Sequence, residues 1–219
     1  MSLPARCISS DAGDCIAADL TGMITRLAER GFGVSDTLLP QALLSALRQR
    51  LLHLLSHGIP RAARVGDRQR PQRQAAIRGD DIAWLDASVD AAERDCLQSL
   101  DAIRLQLNRH LMAGLHSVEA HFAHYAPGSH YARHLDVHRA GSERAISLLL
   151  YLNNNWQESD AGALRIYPPG APHAPIDIVP ASGRLVMFLS DRVEHEVLPT
   201  ARQRLSIAAW FRRRHSLLG

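Results

Sequence analysis

The chain has 219 residues, enough for one well-buried domain and short for two, and its composition is ordinary for a soluble globular protein. The formal net charge is +3, yet all 25 basic residues are arginine, which excludes a Schiff-base lysine, a lysine-bound pyridoxal phosphate and a P-loop lysine. No apolar run reaches the roughly eighteen residues a membrane span needs, and the start "MSLPARCISSDAGD" lacks the order of a secretory signal, so the expectation is a cytoplasmic protein without a membrane partner.

The first half reads as helical. Residues 14–31, "DCIAADLTGMITRLAERG", space Ile16, Leu20, Ile24 and Leu27 on one helical face and stop at Gly31. Residues 40–58 open with Pro40, carry leucines at 44, 47, 51 and 54, and close with Gly58. A third helix is expected within residues 88–114, with Ser88 as its cap and Leu97, Leu100, Ile103, Leu107 and Leu111 as its buried face. Between the second and third lies "RAARVGDRQRPQRQAAIRGDDIAWLD", rich in arginine and glutamine and broken by Pro71. It reads as a long loop over residues 61–79, followed by a short strand near residues 82–85.

After residue 115 the pattern changes to short apolar or alternating runs with turn residues between them. They are "VEAHFAHYA", "YARHLDV", "RAISLLLYLN", "GALRIYP", "IDIV", "RLVMFLS", "EHEVLP" and "RLSIAAWFRR". Eight such strands fit a double-sheet jelly roll. The fold class expected is therefore α+β, with a double-stranded β-helix (jelly-roll) core supported by N-terminal helices.

The stretch "HYARHLDVH", residues 130–138, holds three histidines and an aspartate. In a strand, His130, His134, Asp136 and His138 would share one face. Residues two apart lie about 6.6 Å apart, close enough to converge on one ion, whereas residues four apart converge less easily. His134–Asp136 is the favoured pair, and Asp136–His138 has the same spacing. A third ligand is available at His195 in "DRVEHEVLP". Two histidines and a carboxylate leave coordination positions open, which suits non-haem Fe(II), while a closed zinc site would want cysteine. The cysteines, Cys7, Cys15 and Cys96, are odd in number and far from this stretch.

Arg204 follows His195 by nine residues. "EHEVLPTARQRLSIAAW" reads as a hairpin turning at residues 199–202, so that Arg204, Ser206 and Trp210 share a face. Arg204 could pair bidentately with a carboxylate. Arg202, the alternative, falls in the turn.

The segments "HYAPGSHYARHLD", "ISLLLYLNNNW", "AGALRIYP" and "SDRVEHEVLPTARQRLSIAAWF", in this order, resemble the 2-oxoglutarate- and Fe(II)-dependent prolyl hydroxylases. "IRGDDIAWLD" narrows the resemblance to the oxygen-sensing branch and its bacterial relatives. It covers roughly residues 75–213. One departure is that only "SH" separates Gly128 from Tyr131, shorter than in the animal enzymes.

The helix and strand pattern together with the resemblance, which the first 60 residues share only in helical character, implies a single oxygenase domain over residues 1–219. Within it, residues 1–115 form mainly helical support with a substrate loop near 61–79, and residues 116–213 form the jelly-roll catalytic core. His134, Asp136 and His195 would bind Fe(II). Arg204 would pair with the distal carboxylate of 2-oxoglutarate and Tyr151 would donate to it. Tyr125 and Tyr131 would line the pocket, and Leu164 and Trp210 would wall it. The co-substrates would be 2-oxoglutarate and O2, with ascorbate a candidate reductant. The implied activity is hydroxylation of a prolyl residue in a protein, with translation elongation factor Tu as the candidate. The alternatives are a free amino acid or other small molecule, or a jelly-roll protein that binds a metal or ligand without turnover. The arginine loop and "WFRRRHSLLG" lack interleaved aromatics, so no nucleic-acid partner is expected, and a monomer is favoured.

Overall fold

The structure, a computed structural model, describes residues 10–63, 77–137 and 143–214, with side chains in the first helix described from Ala17. Helix α1 spans Ser10–Arg30 and ends where Gly31 takes φ +81°, a left-handed value that a side chain disfavours. Strand β1, Phe32–Ser35, follows at once. Its four residues are too short a run to read as a strand beside a helix stop. Helix α2 spans Gln41–Ser56 with Pro40 at its N-cap, and Leu44, Leu47, Leu51 and Leu54 are all buried as their spacing requires. Each such leucine contributes about 1.5–3 kcal/mol of transfer free energy.

Strands β2, Arg61–Ala62, and β3, Asp80–Trp84, flank the arginine-rich segment, of which residues 64–76 lie outside the described residues. The strand expected near 82–85 thus begins two residues earlier, at Asp80. Helix α3 spans Ala91–Leu111, and its cap is Asp90 rather than Ser88. The Asp90 carboxylate accepts from the N–H groups of Ala92, at 2.8 Å, and Glu93, at 3.3 Å. Ser88 instead turns its hydroxyl and its N–H toward Asp86.

The eight strands expected after residue 115 are present: β4 Leu115–Tyr125, β5 Tyr131–His134, β6 Arg144–Tyr151, β7 Leu164–Tyr167, β8 Ile176–Ile178, β9 Leu185–Leu189, β10 Glu194–Val197 and β11 Arg204–Arg213. With β1, β2 and β3 they form two antiparallel sheets, ordered β1-β9-β6-β11-β4-β3-β2 and β5-β10-β7-β8. This is the double-stranded β-helix on N-terminal helices that the strand spacing implies.

The helices cover one face of the larger sheet. Leu205, Ile207, Ala209 and Phe211 of β11 pack in the same apolar cluster as Leu47, Leu51, Leu100 and Leu107 of the helices. The alternate residues Arg204, Ser206, Ala208 and Trp210 face a cavity between the sheets. Buried on both faces, β11 reads as a nearly continuous apolar run.

The connection before β11 is not the hairpin its sequence suggests. β10 pairs with β5 and β7, whereas β11 pairs with β4 and β6, so the chain crosses from one sheet to the other. Arg202 fastens this crossing, donating to Asp160 at 3.1 Å and to the Asn154 carbonyl at 2.8 Å.

Candidate active site

His134 and His195 stand directly opposite each other on β5 and β10, with ring centroids 4.2 Å apart. β5 ends at His134, so Asp136 does not reach the site by strand alternation. It lies in a bend, where its carboxylate turns toward the larger sheet. Ser147 Oγ of β6 donates to Asp136 Oδ2 at 2.5 Å, and Trp210 Nε1 of β11 donates to the same oxygen at 2.9 Å. Oδ1 stays 3.7 Å from His134 Nε2. One ligand atom from each of His134, Asp136 and His195 lies within 4.8 Å of the others. The alternative ligand His138 lies outside the described residues. His130 is not part of this group.

Backbone carbonyls set the tautomers. His134 Nδ1 lies 2.8 Å from the Ala132 oxygen and His195 Nδ1 lies 3.2 Å from that of Val193. A carbonyl only accepts, so each Nδ1 carries a proton and Nε2 is the ring nitrogen that would bind a metal. Burial pushes the His195 pKa down to about 4, against the pull of Asp136. Burial alone would raise the Asp136 carboxyl, but hydrogen bonding to His134 and the charge of His195 hold it well below the usual carboxylate range. Three ionisable nitrogen and oxygen donors, no sulfur and open positions fit Fe(II).

The cavity above these groups has a volume of about 550 Å³, and Tyr125, Tyr131, Arg204 and Trp210 line it. Tyr131 stacks on His134, centroids 3.7 Å apart. Arg204, 1 % exposed, donates Nε–H to the Gly162 carbonyl at 2.9 Å. That contact needs a glycine, because at φ +64° a Cβ on Gly162 would fall 2.8 Å from Thr200 Oγ1. Arg204 Nη2 has no partner among the described residues, and neither has the Tyr151 hydroxyl beside it. Burial pushes that hydroxyl up to about 12, so it remains a donor. Two buried, unsatisfied donors side by side fit an anionic oxygen acceptor. Neither Leu164 nor Tyr151 figures among the described lining residues; both belong to one buried apolar cluster, from which Tyr151 meets Arg204. Arg202 is committed to the sheet crossing.

Several site residues have no role assigned from sequence. Arg78 and Asp80 form a bidentate pair at 2.7 and 2.9 Å on the cavity wall, with Asp80 buried. Their signal was the "IRGD" stretch itself. Asn153, in "LYLN", accepts from Leu205 N–H at 2.7 Å and so fixes the start of β11. Ser147, Arg144 and His121 also line the cavity, and single polar residues in apolar strands are the only trace they leave in the sequence.

A profile of the 2OG-Fe(II) oxygenase superfamily matches residues 120–212. Prolyl hydroxylase EGLN3 of Mus musculus is 30 % identical over 194 residues, covering 84 % of this chain and 80 % of that protein. A prolyl-4-hydroxylase from Pseudomonas putida superposes with TM-score 0.81 at 38 % identity, over 89 % of this chain and 99 % of that one. A Trichoplax adhaerens prolyl hydroxylase, solved in complex with a hypoxia-inducible factor peptide fragment, gives 0.84 at 25 % identity and 94 % coverage of each chain. Among the described residues no helix is long and apolar enough to cross a membrane.

Proposed function

The chain belongs to the 2-oxoglutarate/Fe(II)-dependent prolyl hydroxylase family, and from that premise we propose that it hydroxylates a prolyl residue in a protein, working as one oxygenase domain. The observation that carries this reading is the meeting of two groups in one cavity. The His134–Asp136–His195 cluster stands at one part of its wall and Arg204 at another, with the buried Tyr151 beside Arg204.

In this reading His134 Nε2, Asp136 Oδ1 and His195 Nε2 hold Fe(II). When bound with 2-oxoglutarate and O2, the metal supplies the oxidising power that places one oxygen atom in a C–H bond, with succinate and CO2 as co-products. The protein's part is positional. Arg204 and the Tyr151 hydroxyl, both buried side chains, receive the distal carboxylate of 2-oxoglutarate, and charge-assisted bonds at a buried position are strong. Ser147 and Trp210 hold Asp136 in one orientation. Tyr125 and Tyr131 fill the wall between the arginine and the metal cluster.

A polypeptide substrate is supported by the peptide held in the Trichoplax adhaerens relative. Of the arginines on the cavity wall, Arg78 is paired with Asp80 and Arg144 with Glu119, and the exposed Arg61 offers a cation to an acidic partner surface. Elongation factor Tu is the protein we propose. The test is incubation of the Fe(II)-loaded protein and 2-oxoglutarate with purified elongation factor Tu, followed by peptide mass spectrometry. A gain of one oxygen on a proline, with matching succinate release, is the expected result. Succinate release with free proline and none with the protein would sink the polypeptide reading.

A further inference from the structure

His121 of β4 stands one side chain away from the metal-cluster carboxylate, and its surroundings hold it in a single state. Its ring meets Trp84 edge-on, centroids 5.2 Å apart at 86°, and tilts against Trp210, also at 5.2 Å. Trp210 in turn donates to Asp136. His121 Nδ1 lies 3.0 Å from the Phe122 carbonyl oxygen, which only accepts, so Nδ1 carries the proton. The residue is 2 % exposed, and burial, aided by the charge of Arg78, pushes its pKa down to about 4. The ring is therefore neutral near pH 7, with its lone pair on Nε2, and it lines the cavity.

The polar groups around it are engaged with other partners. Arg78 donates to both oxygens of Asp80, Arg144 to Glu119, and Ser147 to Asp136. The neutral ring, held against two indoles, offers Nε2 to the cavity as an acceptor. We propose that His121 is a specificity-determining residue that accepts, through Nε2, a hydrogen bond from a main-chain N–H of the substrate beside the target proline. A peptide-bonded proline has no N–H of its own, so the donor belongs to a flanking residue. His121 thus reads the polypeptide around the ring, and this inference rests on the prolyl-hydroxylase reading above.

The test uses short synthetic peptides, each with one proline between randomised flanks, in three backbone forms. One is all-amide; in the others the N–H of the residue before or after the proline is replaced by an ester oxygen. The Fe(II)- and 2-oxoglutarate-loaded parent, His121→Met and His121→Gln are compared by mass spectrometry of hydroxyproline. Each is also titrated anaerobically with 2-oxoglutarate, followed by the visible charge-transfer band. The parent should favour the all-amide form over one ester form by about tenfold in KM. His121→Met should raise the all-amide KM by a similar factor and no longer distinguish the two forms. His121→Gln, which offers a carbonyl oxygen, should recover part of the preference. The 2-oxoglutarate titration should not change. Equal treatment of amide and both esters by the parent overturns the proposal, with no variant needed. So does discrimination that survives in His121→Met, or parallel loss of 2-oxoglutarate binding in both variants. Hydroxylation of no peptide by a parent that titrates normally is a different signature: it fails the prolyl reading and the His121 proposal with it.

Discussion

Trp210 donates its indole N–H to Asp136 Oδ2 across 74 positions of sequence, from the central strand β11 to a bend after β5. The bond joins the two sheets at the metal cluster and takes up an oxygen that would otherwise turn freely. Trp210→Phe keeps the ring contact and loses the donor. It should weaken Fe(II) binding by about tenfold or more, read by metal titration, with little change in melting temperature. An unchanged metal affinity would show that Ser147 alone orients the carboxylate.

His134→Ala and Asp136→Ala should each abolish Fe(II)-dependent release of succinate from 2-oxoglutarate. His130→Ala should keep most of it, because His130 is outside the convergent group. Retention of turnover in His134→Ala would transfer the role to the pair formed with His138.

Arg204→Ala should weaken 2-oxoglutarate by roughly two orders of magnitude, because it removes one member of a buried charge pair. Arg204→Lys should fall between, keeping the charge without the planar fork. Arg202→Ala should titrate like the parent, since its contacts are with Asp160 and Asn154. Anaerobic titration decides among these, and an unaffected Arg204→Ala would remove the co-substrate assignment.

Asp80→Asn should leave the Arg78 guanidinium without its counter-charge on the cavity wall. A cost of about 3 kcal/mol is expected for breaking such a pair, read as a lower denaturant midpoint. Arg78→Met with Asp80→Asn should recover part of the loss, because both partners are then neutral.

The metal-free protein should lose stability as pH falls from about 6.5 toward 4. His121 has a folded pKa of about 4, below its unfolded value, so between those limits the unfolded chain binds the extra proton. The full effect is about 3 kcal/mol. His195, also about 4, acts with the same sign. Asp136 is lowered as well, so its contribution is lost only below about pH 4, outside this window. His121→Met should flatten the slope of melting temperature against pH, and an unaltered slope would place the effect elsewhere.

Much of this was legible in the sequence for a physical reason. The eight strands after residue 115 mark themselves by following one another between turn residues rather than by the length of each, and His195 and Arg204 sit near the starts of two of them. The leucine stripes of α2 and α3 needed only the helical period. What stayed hidden depends on neighbours far away in the chain. Asp136 joins the cluster through a bend that Ser147 and Trp210 stabilise, and no local period encodes a bend. The step between β10 and β11 looks like a hairpin because adjacent strands usually pair, yet each strand has better partners in a different sheet. Ser88 and Asp90 both suit a cap, and only the backbone shape at Asp90 decides between them.

β11 presents one row of side chains to the helices and the other to the cavity, and that division bears on how such a gene can drift. Replacing a residue in this strand disturbs one row at one place. Adding or removing a codon between those for Ser206 and Trp210 would exchange the rows beyond it, sending Trp210 into the helical layer and an aliphatic neighbour toward the metal. Hydrogen bonds to β4 and β6 along both edges leave little slack to absorb such a change. Descendants of this sequence are therefore free to vary in spelling along the strand, but not in letter count.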